Sequence, residues 1–206
     1  MIKYLFGIVV LLCVSCGNKE DVLLPKSDTT IVKEVFDLSP IYIFFRVNGK
    51  DTLAEVNRKN SIITTNWILN IDKRLPLRLV IPEVMKLQKR KREEKEHRNE
   101  LALNYYSYAD SIGKNLAFIP FTQVYYKLEK PKKGLVVFFS KDGKIIVNNE
   151  VVPKKDLQKF INNANTDSKE ILYCFDKNSS YGSYIQNKVF IHSVELKNVV
   201  SKEYVY

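Results

Sequence analysis

The chain has 206 residues, of which 45% are hydrophobic and 12% aromatic. This composition is too apolar for a chain that stays unfolded, and the length allows one or two compact domains. It carries 33 basic and 23 acidic side chains, a formal net charge of +10. A basic surface of this kind suits acidic lipid headgroups, anionic wall polymers or nucleic acid.

The N-terminus combines a single lysine, Lys3, with an apolar run that ends at Ser15-Cys16. This run is shorter than the roughly 20 residues that a membrane-spanning helix needs. The small Ser15 before Cys16 resembles the lipobox of bacterial lipoproteins. The resemblance implies removal of residues 1–15 as a signal peptide and attachment of palmitate and other acyl chains to Cys16. A plain secretory signal is the alternative interpretation.

The residues after Cys16 bear on where such a lipoprotein would go. Gly17 stands where an inner-membrane retention signal has aspartate, and the cluster Lys19-Glu20-Asp21 resembles a surface-export tether. We therefore expect an outer-membrane location in the cell envelope, with the periplasmic and surface faces both open. Export makes nucleic acid the least favoured partner. Residues 16–30 lack periodicity, which predicts a flexible tether.

Residues 31–130 are predicted to form a first sheet-and-helix module. The run 41–50 indicates a hairpin that turns at Gly49-Lys50, with a helix near residues 68–70 and a strand at 77–83. From Met85 to Asp110 the pattern predicts a long charged helix inserted into this module, centred on residues 86–100. Residues 116–128 predict a further strand, which leads to the linker 129–133.

The charged helix has two interpretations. It is either a solvated helix held by pairs at i and i+4, or a basic arm that binds anionic lipid or wall polymer. In the second case its binding residues would be Lys89, Arg90, Lys91 and Arg92.

Residues 134–206 are predicted to form a second module. Asp142-Gly143 between two apolar runs predicts a hairpin with a type I′ turn. A helix that begins at Pro153 carries its apolar stripe on Leu157, Phe160, Ile161 and Ala164. A strand at 171–175 follows, then a helix from Tyr181 whose stripe includes Ile185, Val189 and His192, and a short final strand at about 203–206. The predicted class is α+β.

This order resembles the periplasmic domain of the ExbD/TolR family, the small partners of proton-driven envelope motors. The matching residues are Asp142-Gly143-Lys144, Asn148, Asp156-Leu157, Phe175-Asp176 and Tyr181-Gly182. The resemblance covers about the last third of the chain. It implies partner binding, including strand addition at an edge left open by the final strand.

The two modules share short motifs that suggest an internal tandem repeat. Phe44-Phe45 and Gly49-Lys50 recur 94 residues later as Phe138-Phe139 and Gly143-Lys144. The same shift aligns 77–83 with 171–177, and a near-equal one aligns 68–70 with 161–163. Chance is the alternative, since these pairs are common. A true duplication would make the chain a covalent version of the side-by-side pair that ExbD-type domains form.

The residues expected at an active site are sparse. The two histidines, His97 and His192, have no metal-ligand spacing with the cysteines. Cys174 lies in an apolar strand and is predicted to be a buried thiol. We expect no catalytic residues, no metal and no cofactor, and hence not an enzyme. The apolar N-terminal run also lacks the acidic residue that couples ExbD-type helices to proton passage.

The sequence therefore favours a lipid-anchored, non-enzymatic envelope protein that binds an envelope partner of a TonB/Tol-type transport system, or peptidoglycan. The alternative is a structural or assembly lipoprotein whose resemblance to the ExbD family is architectural only. The sequence does not decide between a homo-oligomer and a pseudo-dimer formed by the two modules of one chain. The aromatic binding candidates, which could equally be core residues, are Tyr181, Gly182 beside it, Tyr184, Tyr204 and Tyr206.

Overall fold

The computed structural model describes residues 21–94, 99–164, 170–194 and 199–206. These residues form two six-stranded sheets and three α-helices, which confirms the α+β class in general. The strands are β1 (Lys26–Ser27), β2 (Leu38–Asn48), β3 (Asp51–Asn57), β4 (Asn66–Ile71), β5 (Asn104–Asp110), β6 (Asn115–Pro120), β7 (Tyr125–Lys127), β8 (Leu135–Phe139), β9 (Ile145–Val147), β10 (Glu150–Val152), β11 (Ile171–Phe175) and β12 (Val199–Val205). The helices are α1 (Leu77–Glu93), α2 (Leu157–Ala164, after a 3₁₀ turn at Lys154–Asp156) and α3 (Tyr181–Ser193).

The first sheet has the order β3-β2-β4-β5, with β6 antiparallel beside β5 and the short β1 parallel to the end of β5. Strands β2 and β3 form the predicted hairpin, whose register is continuous from Asn48↔Asp51 to Tyr42↔Asn57. Gly49 has φ 62°, which the first position of a two-residue type II′ turn requires. Strand β3 is the outermost strand at its end of the sheet.

The second sheet has the order β10-β9-β8-β11-β12-β7, and its last four strands are parallel. The predicted order of hairpin, helix, strand, helix and strand is confirmed for these residues. The final strand is not an open edge, because β7 pairs with β12 on the side away from β11. That prediction is wrong because β7 comes from a segment predicted to belong to the first module.

The turn chemistry of the second hairpin differs from its prediction. Only Gly143 has positive φ at Asp142-Gly143, and Gly143 N donates to Ser140 O, which makes this a longer turn. The pair with positive φ at both positions is Asn148-Asn149 (51° and 67°), which joins β9 to β10. Asparagine tolerates left-handed φ because its short side chain can hydrogen-bond locally, so the type I′ pattern lies one turn later than predicted.

The first half does not follow the predicted alignment. Residues 68–70 lie in strand β4 and residues 77–83 lie in helix α1, so the correspondence of 68–70 with 161–163 and of 77–83 with 171–177 is wrong. A short apolar run fits a buried strand and a buried helix equally well. Only a longer window shows the helical spacing of the buried residues, which are Leu77, Val80, Ile81, Val84 and Leu87.

The predicted charged helix is shorter than expected. Helix α1 ends at Glu93, and β5 begins at Asn104, within the range predicted as helical. Residues 95–98, which include His97, lie outside the described residues. The predicted strand at 116–128 is divided into β6 and β7.

Part of the predicted tether is docked onto the fold. Within residues 21–30, the short strand β1 pairs with β5, and Lys73 N donates to Leu23 O (2.8 Å). Thr30 also donates to the Asp110 carboxylate (2.6 Å). Backbone pairing of this kind leaves no periodic trace in the sequence, so the prediction of flexibility is wrong for these residues.

Helices α1 and α3 begin against each other. Pro76 and Ser180 form an antiparallel bridge. The loop before each helix provides carbonyl groups that accept hydrogen bonds from the first N–H groups of the other helix. The four hydrogen bonds run from Leu77 N to Ser179 O (2.9 Å), Arg78 N to Lys177 O (2.8 Å), Tyr181 N to Leu75 O (2.7 Å) and Gly182 N to Lys73 O (3.0 Å). The two halves thus share one contact with approximate two-fold symmetry, and residues of both sheets and all three helices form one buried cluster.

Candidate functional site

The aromatic residues at the start of α3 lie in the core. Tyr181 and Tyr184 are fully buried, and Tyr184 packs edge-on against Phe175 of the second sheet and Tyr106 of the first. The prediction of an aromatic binding surface is therefore wrong for these two residues. Tyrosine can serve either role because a ring buries as much apolar area as phenylalanine while its hydroxyl finds a partner.

The buried hydroxyl groups form a chain between the two sheets. Tyr106 hydrogen-bonds to Tyr126 (2.6 Å), Tyr126 to Tyr184 (3.1 Å), and Tyr184 donates to the Glu203 carboxylate (2.6 Å). The other oxygen of Glu203 accepts from Lys188, whose side chain is only 12% exposed. Burial raises the pKa of Tyr106, Tyr126 and Tyr184 well above the usual value, so these hydroxyls stay protonated.

Gly182 serves the contact between the halves. Its N–H binds Lys73 O, and an added Cβ would lie 3.2 Å from the Lys73 Cβ and 3.3 Å from its carbonyl oxygen. The position therefore needs the close backbone approach that only glycine gives without displacing Lys73.

Tyr204 and Tyr206 are half-buried and remain candidates for contact with a partner. Tyr206 packs against Phe138 and lies under the Lys130 amine, on the face of the second sheet that is away from the main core. Burial raises the pKa of Tyr206 to about 12. Cys174 is a free and buried thiol, as predicted, and burial raises its pKa to about 12.

Two of the four predicted basic residues on α1 are engaged within the chain. The Lys91 amine donates to Thr65 O (2.9 Å), Leu103 O (3.2 Å) and Asn104 Oδ1 (3.1 Å), and burial lowers its pKa to about 8. Arg92 donates to Thr122 O (2.9 Å) and lies over the Tyr125 ring. Both residues fix the end of α1 to neighbouring loops, which leaves Lys89 and Arg90 for an outside partner.

Lys89 and Arg90 differ in their surroundings. Lys89 lies 3.7 Å from the Glu93 carboxylate. Arg90 lines a cleft of about 550 Å³ at the end of β3, together with the exposed Arg58 and Lys59. We call Arg58, Lys59 and Arg90 the cationic cleft. None of the three has an ion-pair partner among the described residues, and the one acidic residue of the cleft, Glu55, already binds Arg46 (2.6 Å).

Sequence reasoning identified Arg90 and missed Arg58 and Lys59. The only local signal was a polar run, Asn57 to Asn60, directly after the predicted hairpin. Arg90 is more than thirty residues away along the chain, so only the packing of α1 against β3 brings the three cations together.

The remaining predictions concern His192, Cys16, membrane-spanning helices and metal ligands. His192 is exposed in the last turn of α3, so the prediction that it packs on the apolar stripe is wrong. Cys16 lies outside the described residues. Within the residues described, no helix is long and apolar enough to cross a membrane, and no group of three metal-ligating side chains occurs.

No protein-family model, no curated protein and no solved structure matches this chain.

Proposed function

We propose that this chain is a non-enzymatic, lipid-anchored envelope protein whose two halves form an ExbD/TolR-like pseudo-dimer. In this proposal it binds a partner of a TonB/Tol-type transport system or a wall polymer. The observation that supports it is the order of β8 to β12, in which a hairpin, helix, strand, helix and strand place β8, β11 and β12 parallel and adjacent. This is the order that the ExbD/TolR resemblance implies.

The first half supports a duplication through its topology. There, too, a hairpin (β2-β3) is followed by a strand parallel to its first member (β4), a helix (α1) and a further parallel strand (β5). The main difference is that the connection from hairpin to β4 contains no α-helix, whereas α2 fills the corresponding place in the second half. The motif Asp-Lys recurs as Asp72-Lys73 and Asp176-Lys177, 104 residues apart, where β4 and β11 end.

The shared contact between α1 and α3 fits a covalent pair of modules. Each half supplies carbonyls that the other needs, so the hydrogen bonds are reciprocal, as they are in a two-fold dimer. An exposed cationic cleft on one module offers a place for an acidic partner.

The lipid anchor is tested by metabolic labelling of cells that express the full chain with a palmitate analogue. We expect the Cys16→Ala variant to lose the label and to leave the membrane fraction, whereas the matched Cys13→Ala variant keeps both. Equal labelling of the two variants, or no label on the unaltered chain, would contradict the anchor.

Partner binding is tested in intact envelopes with a photo-crosslinking amino acid at position 90, and at position 141 as a control on the opposite module. We expect position 90 to capture a motor-complex protein or peptidoglycan fragments, identified by mass spectrometry. Capture of neither at both positions would favour the alternative, a structural or assembly lipoprotein.

A further inference from the structure

The edge of the first sheet offers a template for a further strand. Strand β3 has seven residues and keeps a continuous register with β2, without a bulge; among the described residues it pairs with no other strand. In a hairpin with a two-residue turn, every second residue of β3, starting at Asp51, hydrogen-bonds to β2 through its backbone. The residues between them, Thr52, Ala54 and Val56, direct their N–H and C=O groups away from the sheet. An extended chain could pair with these groups.

The other outer edges of the two sheets are less suited to pairing. Strands β7 and β10 have only three residues each. Strand β6 ends at Pro120, which has no N–H, and its Phe118 is already bridged to Val32. Proteins usually protect long edges by shortening, bulges, proline or charged side chains; β3 has neither a bulge nor a proline, and its charged residues are Asp51 and Glu55, the latter paired with Arg46.

The positive charge beside β3 favours an acidic partner chain. Val56 and Asn57 at the end of β3 line the same cleft as Arg58, Lys59 and Arg90. These three cations form no ion pair among the residues that the structure describes, so they attract carboxylates and repel another basic segment. Leu53, which is 45% exposed, adds an apolar contact on one face of the edge.

We propose that β3 accepts an extended acidic peptide segment of a partner protein as an additional strand, with carboxylates of the segment in the cationic cleft. This rests on the proposed function and names the chemistry of the partner. Backbone hydrogen bonds to β3 hold the peptide, and the three cations set its preference for acidic sequences.

The probe is a fluorescein-labelled octapeptide of alternating glutamate and valine, titrated against the full-length protein in detergent micelles by fluorescence anisotropy. We expect saturable binding that weakens with added salt, and no binding of the lysine-valine counterpart. Replacing Arg58, Lys59 and Arg90 together by glutamine should weaken binding about tenfold, since each exposed pair contributes a few-fold. Lys141→Gln removes one charge on the other module and should leave the affinity unchanged.

Amide hydrogen exchange locates the peptide. We expect slower exchange at Thr52, Ala54 and Val56 when the acidic peptide is bound, and no such change with a peptide whose alternate amides are N-methylated. Three results would each overturn the proposal. The bound peptide could slow exchange only outside β3, the basic peptide could bind equally well, or β3 could already be protected by self-association without peptide. If the peptide result is negative but position 90 still crosslinks to a motor protein or wall fragment in envelopes, the proposed function holds and only the assignment of β3 as the binding edge is wrong.

Discussion

Asp72 and Asp176 occupy equivalent backbone positions and have different surroundings. Each follows the last residue of a parallel strand and accepts a hydrogen bond from the N–H two residues later, Arg74 N (3.0 Å) and Asn178 N (2.8 Å). Asp72 is fully buried and also binds the Arg74 side chain through both oxygens, whereas Asp176 is half-buried.

This difference predicts unequal costs of the same substitution. We expect Asp72→Ala to lower the free energy of unfolding by about 2–3 kcal/mol, because buried N–H groups and Arg74 lose a charged acceptor. Asp176→Ala should cost about 1 kcal/mol, the value of a partly exposed turn hydrogen bond. Urea denaturation followed by circular dichroism measures both. A larger loss for Asp176→Ala would contradict the assignment.

Acid stability should depend on Asp72. Burial alone would raise its pKa, but hydrogen bonds from the Arg74 side chain and from the Arg74 and Leu23 N–H groups outweigh burial, so the pKa is lowered. The unfolded carboxyl titrates near pH 3.9. The stabilisation is therefore present above about pH 4 and is lost as the pH falls through the lower folded value, where the unfolded state binds more protons. Denaturation midpoints at pH 2 to 6 should show a shallower acid limb for Asp72→Asn than for the unaltered chain.

Lys91 and Lys89 provide a matched pair on α1. We expect Lys91→Met to destabilise the fold by about 1–3 kcal/mol, because Thr65 O, Leu103 O and Asn104 Oδ1 lose their shared donor. Lys89→Met should change stability by less than about 0.5 kcal/mol, since the pair with Glu93 is exposed. Thermal unfolding separates the two. Equal effects would mean that the Lys91 acceptors find water instead.

Tyr181 and Tyr184 are both fully buried, yet only one uses its hydroxyl. The Tyr181 hydroxyl has no hydrogen-bond partner among the described residues, whereas Tyr184 joins Tyr126 to Glu203. We expect Tyr181→Phe to leave stability unchanged or raise it by up to about 1 kcal/mol, and Tyr184→Phe to lower it by about 1–2 kcal/mol. Chemical denaturation of the two variants checks this, and a loss for Tyr181→Phe would indicate an ordered water at its hydroxyl.

The second half was predictable because its signals are local. The stripe of Leu157 and Ile161, and that of Tyr181, Ile185 and Val189, each fit a helix of ordinary length between turn residues. In the first half, residues 77–81 lie between Pro76 and Pro82, and a proline is disfavoured inside a helix, so this short run fits a strand as well as a helix.

The candidate site was less predictable because it depends on tertiary packing. The spacing of the buried residues Val84 and Leu87 reaches the engaged Lys91 and passes over the exposed Arg90, but it is visible only when the whole of α1 is read as one helix. The difference arises because the helix turns Lys91 towards Thr65 and Leu103, while Arg90 faces β3. The burial of Tyr184 likewise depends on Glu203, which reaches it from the last strand.

The pairing of β7 with β12 has a consequence for how the chain is made. Strand β12 lies between β11 and β7, both of which precede it in the chain. The second sheet can therefore close only once β12 has been synthesised, when the Glu203 carboxylate reaches the hydroxyl of Tyr184. A fragment that starts at Gly134 would lack β7 and expose β12, so cutting at the linker would not yield two independent folding units.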